Sequence, residues 1–158
     1  PNGYKDNALI AKQAKDLGMR HIPKVAGDSG FSIMLFEMAG PELDGNYYVV
    51  QHFDNSEWDK PDAKPTKERY EERFKEPPEV NVAMGVDLVY FIADCIKRAG
   101  STDGEAIRQA IEDSKDVKLK LSTITMDPET HNPKNKAGII LRFEGDQALF
   151  VDKYAPQD

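Results

Sequence analysis

Asp28 stands between two glycines in "KVAGDSGFS", residues 24–32. The short apolar run before it reads as a buried strand ending in glycine, which places the acid just past the strand's carboxyl end. In open α/β sheets, ligands bind beyond the carboxyl ends of the strands. Glycines there let the backbone approach a ligand closely or take positive φ. A carboxylate in such a loop suits a cationic group such as an ammonium. An Asx-turn, or a cap on the next helix, uses the same residues equally well. Tyr4 follows a strand-end pattern and precedes a helix. Its ring face can meet an ammonium and its hydroxyl can meet a ligand, or it is an ordinary surface or core tyrosine.

Other chemistry is sparse. His21, His52 and His131 are far apart, with no i, i+4 pair of the kind that holds a metal. Asp127, Glu129 and His131 crowd one turn and have the chemistry to hold a cation, but they read as a solvated hairpin turn. No Gly-x-Ser-x-Gly, Cys–His pairing, or phosphate- or dinucleotide-binding glycine pattern occurs. Nothing assembles a nucleophile, its base and an oxyanion site. These residues therefore predict no catalytic group, metal site or cofactor of their own. Cys95 is the one cysteine, so no intrachain disulfide can form. Within "VYFIADCIKRAG" it reads as a small core residue.

The elements that must position Asp28 and Tyr4 follow from periodicity. Residues 6–17 read as a helix capped by Asp6, with Ile10, Ala14 and Leu17 on its inner face and Gly18 ending it. "HIPKVAG" reads as a strand. "SIMLFEMAG" reads as a helix with Ser32 as N-cap and Gly40 as its stop. "NYYVVQHF" reads as a strand buried on both faces. This helix–strand alternation predicts an α/β fold with a parallel sheet.

The character then changes. "DNSEWDKPDAKP", residues 54–65, is polar and holds two prolines, so it reads as a linker. Trp58 within it reads as an ordinary loop residue, or alternatively as a plug for a surface groove. "TKERYEERFK" is a short charged helix with Tyr70 and Phe74 one turn apart. A stronger helix spans 82–99, with Val82, Val86, Val89, Ala93 and Ile96 as a stripe widened by Leu88, Ile92 and Cys95. That width predicts a largely buried helix. Thr102 and Glu105 have capping-box spacing before a helix that turns Ile107, Ala110 and Ile111 inward. "STITMD" reads as a strand. "AGIILRF" and "QALFVDKY" read as a hairpin joined by the three residues "EGD".

The chain has 158 residues, with 28 acids against 21 bases and a net charge of −7. That balance argues against a nucleic-acid surface, which needs a basic stripe. No apolar run is long enough to span a bilayer. The sequence opens "PNGYKDN", with neither methionine nor signal peptide. The first helix has no strand before it, and about five strands divide between parallel and hairpin types. The expectation is the C-terminal part of a larger α/β protein.

Several stretches carry a resemblance in order. "GYKDNALIAKQAKDLGM", "VAGDSGFS", "MAGPELDGNYYVVQHF", "GVDLVYFIADCIKRAGSTDGEAIRQAIED" and "STITMDPETHNPKNKAGIILRFEGDQALFV" together resemble the periplasmic ligand-binding proteins of branched-chain amino-acid ABC transporters. The resemblance implies a type I periplasmic-binding-protein fold: two α/β lobes of parallel sheets flanked by helices, joined by crossing strands, closing on a ligand like a hinge. It implies that residues 1–53 belong to the C-terminal lobe and 54–135 to the N-terminal lobe. Residues 136–158 form a C-terminal hairpin that crosses back, and the first crossing lies near Gln51–Asp54.

The resemblance also implies roles. Asp28 matches the acid that holds a ligand's α-ammonium, and Tyr4 matches its aromatic partner. Ser29 and Phe31 share the Asp28 loop as further ligand contacts. Asn81 stands where relatives often carry an aromatic before a GYDAVY-like helix, which leaves open a polar, smaller or non-α-amino-acid ligand. The implied function is capture of an amino acid or similar small amine, in the periplasm or outside the cell, for an ABC transporter permease. Anchoring by lipid through a missing N-terminus is compatible with it. The alternatives are the ligand-sensing domain of a receptor and an α/β enzyme subunit completed by a partner chain. For the chain by itself, a missing N-terminal half or self-association is expected.

Overall fold

A computed structural model describes residues 3–45, 47–51, 55–134, 136–145 and 147–155. The chain is α/β and divides into two compact units. One joins Pro1–His52 to Ala137–Ala155, and the other is built around Phe53–Lys136. The expected crossing near Gln51–Asp54 lies, beyond Gln51, outside the described residues, and so does His52.

The first unit opens with α1 (Tyr4–Asp16), followed by β1 (Lys24–Ala26), α2 (Ile33–Ala39) and β2 (Tyr47–Gln51). It closes with the hairpin β5 (Gly138–Glu144) and β6 (Gln147–Tyr154). The sheet order is β1-β2-β5-β6. Among the described residues of this sheet, only β1 and β2 run parallel, with Lys24 opposite Tyr47 and Ala26 opposite Val49. β5 is antiparallel to both β2 and β6. Glu144 pairs with Gln147, so the hairpin connection is two residues rather than three. A bulge at Val151 shifts the register between Ile140 and Leu141. Strand β2 buries Tyr47 and Val49 fully, whereas Tyr48 and Val50 on the opposite face are half-buried.

Two sequence expectations are corrected in α1. It starts at Tyr4, with Gly3 at the N-cap and no side-chain cap, and Asp6 lies within its first turn. Its buried face is Asn7, Ala8 and Ala11, while Ile10 and Leu17 are exposed. Small alanines let the helix lie close to the core, and the larger apolar residues fall on the outer side. That core comprises Ala8, Ala11, Leu35, Ala39, Leu43, Tyr47, Val49 and Phe143. The α2 boundaries follow the sequence: the Ser32 hydroxyl accepts the Met34 N–H at 3.2 Å, and Gly40 follows the last helical residue at φ 54°.

The second unit holds α3 (Lys64–Phe74), α4 (Val80–Ala99), α5 (Gly104–Glu112) and a small antiparallel pair, β3 (Val117–Lys118) and β4 (Thr123–Ile124). Residues 54–65 are not a bare linker. A 3-10 turn over Asn55–Asp59 sends Trp58 into a core with Ala63, Val80, Ala83 and Leu121. Further along α4, Phe91 and Cys95 pack with Ala110 of α5. Cys95 is thus a core residue.

The α4 expectation is corrected as well. Its buried face is Val80, Ala83, Asp87, Phe91 and Cys95, whereas Leu88 and Val89 are exposed. The helix is apolar over more of its circumference than the described residues cover. Asp87 is buried, and its carboxylate accepts the Leu121 N–H at 2.9 Å and the Ser122 hydroxyl at 2.6 Å. It thereby fastens α4 to the loop before β4. Asp103, rather than Thr102, caps α5, its Oδ1 accepting the Glu105 and Ala106 N–H groups.

Candidate ligand-binding site

Asp28, Ser29 and Gly30 form a single 3-10 turn directly after β1. The Gly30 N–H donates to the Gly27 carbonyl at 2.9 Å, and the Phe31 N–H to the Asp28 carbonyl at 3.1 Å. Asp28 does not cap α2, since Ser32 does so. The Asp28 Oδ1 accepts the adjacent Ser29 N–H at 2.7 Å, which fixes the carboxylate against its own turn. Asp28 and Ser29 are exposed, but Gly30 is buried.

No base pairs with Asp28 among the described residues, and three cations of the same unit are engaged elsewhere. Lys15 binds Glu42 at 2.5 Å. Arg20 reaches the Pro41 carbonyl at 2.6 Å. Lys24 donates to the carbonyls of Arg20 and Ile22. An exposed carboxylate in this setting can receive an external cation without displacing an internal one.

The turn is held from beneath. Phe31, half-buried, sets its ring 6.0 Å from Phe143 and 6.5 Å, edge-on, from Phe36. Tyr47 packs edge-on against Phe143 at 5.4 Å. Burial pushes the Tyr47 phenol up to about 12. Its hydroxyl finds no hydrogen-bond partner among the described residues. Tyr4, the first residue of α1, is half-buried against the same core, and the Lys5 ammonium lies 6.0 Å from its ring centre. The structure therefore gathers Asp28, Ser29 and Phe31 in one turn and packs Tyr4 on the core beneath it. Asn81 is exposed in the first turn of α4 and belongs to the other unit.

The remaining polar clusters are used internally. Asp127 accepts the N–H groups of Glu129 at 2.8 Å and Thr130 at 3.2 Å, and pairs with Lys134 at 3.3 Å. His131 lies 3.3 Å from Glu112. Among the described residues no group of acids, histidines and cysteine could hold a metal. The two backbone N–H groups, aided by Lys134, hold the Asp127 carboxyl below the usual carboxylate range. A depressed folded-state value stabilises the turn above the unfolded value, and that contribution is lost as pH falls through the folded one. An NMR titration of the Asp127 side chain is expected to give a midpoint below the ordinary aspartate value; an ordinary midpoint would refute the capped turn. An open concavity of about 490 Å³ on the second unit is lined by Asp62, Tyr90, Asp94, Lys97, Lys118 and Lys120, with none of the candidate ligand residues.

Comparison with known proteins decides the family. The profile described as "Periplasmic binding protein" matches residues 2–146. The chain belongs to the periplasmic binding protein family. It is similar to the leucine binding protein LivK of Thermotoga maritima, at 27% identity and a TM-score of 0.85, over 98% of this chain and 43% of that one. It is also similar to the branched-chain amino acid transporter substrate binding protein LivJ of Streptococcus pneumoniae, solved with isoleucine, at 22% identity and a TM-score of 0.80. That match covers 99% of this chain and 43% of LivJ. A fatty acid ABC transporter substrate-binding protein from Thermomonospora curvata shares the fold at 18% identity and a TM-score of 0.74, over 99% of this chain and 42% of that one. No curated protein matches. The chain thus spans about 43% of the length of the first two solved relatives. In this member of the periplasmic binding protein family, no described helix is long and apolar enough to cross a membrane.

Proposed function

We propose that the chain is part of an extracytoplasmic substrate-binding protein that delivers an amino acid or similar small amine to an ABC transporter permease. Its work is binding and hinge closure rather than chemistry. Asp28 receives the ligand's ammonium, and Tyr4 offers a ring face or hydroxyl beside it. Ser29, Phe31 and Asn81 are further candidate contacts. Residues 1–53 are assigned to the C-terminal lobe, 54–135 to the N-terminal lobe and 136–158 to the returning hairpin.

One observation carries the reading. In a periplasmic binding protein, an exposed carboxylate at the end of a parallel strand has no cation paired with it among the described residues. A fatty acid would present its own carboxylate to Asp28 and be repelled, so the amine is favoured over the lipid carried by the Thermomonospora curvata relative.

The test is calorimetric titration of the complete protein that carries this chain with L-isoleucine, L-leucine, putrescine and decanoate. At least one amine is expected to bind, and decanoate is not. Binding of decanoate alone would overturn the reading.

A further inference from the structure

We infer that Gly30, seated against Ala26 and Asn7, is the positioning residue that holds the Asp28 carboxylate where an amine can reach it. The inference rests on the ammonium reading of Asp28. Gly30 is buried although the two residues before it in the turn are exposed. A Cβ at position 30 would stand 2.6 Å from the Ala26 Cβ and 2.9 Å from the Asn7 Nδ2. The Tyr47 hydroxyl, at 3.7 Å, closes another side of the same seat.

The closer neighbour cannot yield, whereas the Asn7 Nδ2 is the end of a side chain and can turn aside. The Ala26 methyl is fixed to the backbone of β1, which is paired at that residue with Val49 of β2. Asn7 is buried on α1, beside Ala8 and Ala11 in the core. The glycine is therefore required for space, since its backbone does not lie in the left-handed region.

A methyl group at position 30 must lift the turn by about 1 Å to reach ordinary contact distance. The turn moves as a piece, because its hydrogen bonds run from Gly30 to Gly27 and from Phe31 to Asp28. Asp28 then shifts with it. A charge-assisted hydrogen bond depends steeply on distance and angle, so displacement on that scale weakens it.

The experiment titrates the complete protein with L-isoleucine in two backgrounds, one with Asp28 intact and one carrying Asp28→Ala. Gly30→Ala is expected to weaken binding about fivefold or more in the first, and by less than about twofold in the second, because residues acting through one contact are not additive. A purely structural role would cost the same in both backgrounds and overturn the inference, as would unchanged affinity in Gly30→Ala. The double variant Ala26→Gly/Gly30→Ala removes the fixed methyl and is expected to recover affinity to within about twofold of Ala26→Gly alone. This variant carries the test if Gly30→Ala does not fold, and a loss that persists in it also overturns the inference. If no amine binds the unaltered protein, or Asp28→Ala leaves affinity unchanged, the ammonium reading falls and this inference with it. A normal Asp28→Ala loss beside an inert Gly30→Ala overturns the inference alone.

Discussion

Trp58→Ala is expected to destabilise the second unit by about 3–5 kcal/mol while leaving the first nearly untouched. The indole is 2% exposed, and its buried neighbours are Ala63, Val80, Ala83 and Leu121. Two of these are alanines, which have no side chain able to swing into the space a deleted indole leaves. The cavity therefore stays open, and its cost adds to the lost transfer free energy. That loss is a large share of the roughly 5–15 kcal/mol that holds a typical domain folded. The first unit has its own core around Leu35, Tyr47, Val49 and Phe143, with no residue in common with that of Trp58. Hydrogen exchange separates the two units. Amides of α4 are expected to lose protection in Trp58→Ala, while those of β5 keep theirs. Equal loss in both strand and helix, or no loss in α4, would refute the assignment of Trp58 to a separate core. Trp58→Phe, which keeps a ring in the cavity, is expected to cost less than the alanine variant.

The position of Trp58 also marks where sequence reading runs out. "DNSEWDKPDAKP" has no periodicity because a 3-10 turn and irregular backbone carry it, so only its polar surface is legible. The burial of one aromatic in such a segment is a tertiary fact. Local signals fared better. Ser32 and Gly40 bracket α2 through hydrogen bonds and backbone angles within a few residues, and both were readable. At α5, Thr102 and Asp103 are adjacent capping residues, and only the backbone decides for Asp103. Of the β3–β4 ladder, β4 falls within "STITMD", which reads as a strand, whereas the two residues of β3 are too few to leave a pattern.

Helix faces were the harder problem. In α1 the apolar period is carried by Ile10, Ala14 and Leu17, yet packing selects the smaller Ala8 and Ala11 together with Asn7. In α4 the apolar residues extend almost all round, so no unique stripe can be read. The lone acid in "NVAMGVDLVYFIA" was the one sequence signal for the buried Asp87, whose partners lie more than thirty residues away. The candidate site divides the same way. The place of Asp28 after a strand was legible from the glycines and the apolar run. The glycines suggest positive φ or close approach to a ligand; at Gly30 the backbone is not left-handed and the close approach is to Ala26 and Asn7, which only the fold brings together.

Asp28→Ala is expected to weaken binding of L-isoleucine, or of whichever amine the complete protein takes, about ten- to hundredfold. A hydrogen bond between charged groups contributes about 1.5–3 kcal/mol, and each 1.4 kcal/mol is a factor of ten in affinity. The fold should not suffer. Asp28 is exposed, and the hydrogen bond its carboxylate makes is to the neighbouring Ser29 N–H. Its thermal unfolding is expected to match that of the unaltered protein, since exposed substitutions of this kind stay within about 0.5 kcal/mol. Asp28→Asn keeps the shape and the acceptor oxygen but removes the charge, and is expected to fall between the two. The direction of the change separates ligand classes more sharply than its size. An ammonium loses its counter-charge when Asp28 is removed, so affinity falls. An anionic ligand such as a fatty acid loses a repulsive neighbour, so affinity rises. Calorimetry on the Asp28→Ala protein with L-isoleucine and decanoate therefore reads the sign of the ligand charge, if any, that Asp28 meets. A gain for decanoate with no change for the amine would reverse the proposed chemistry of the site.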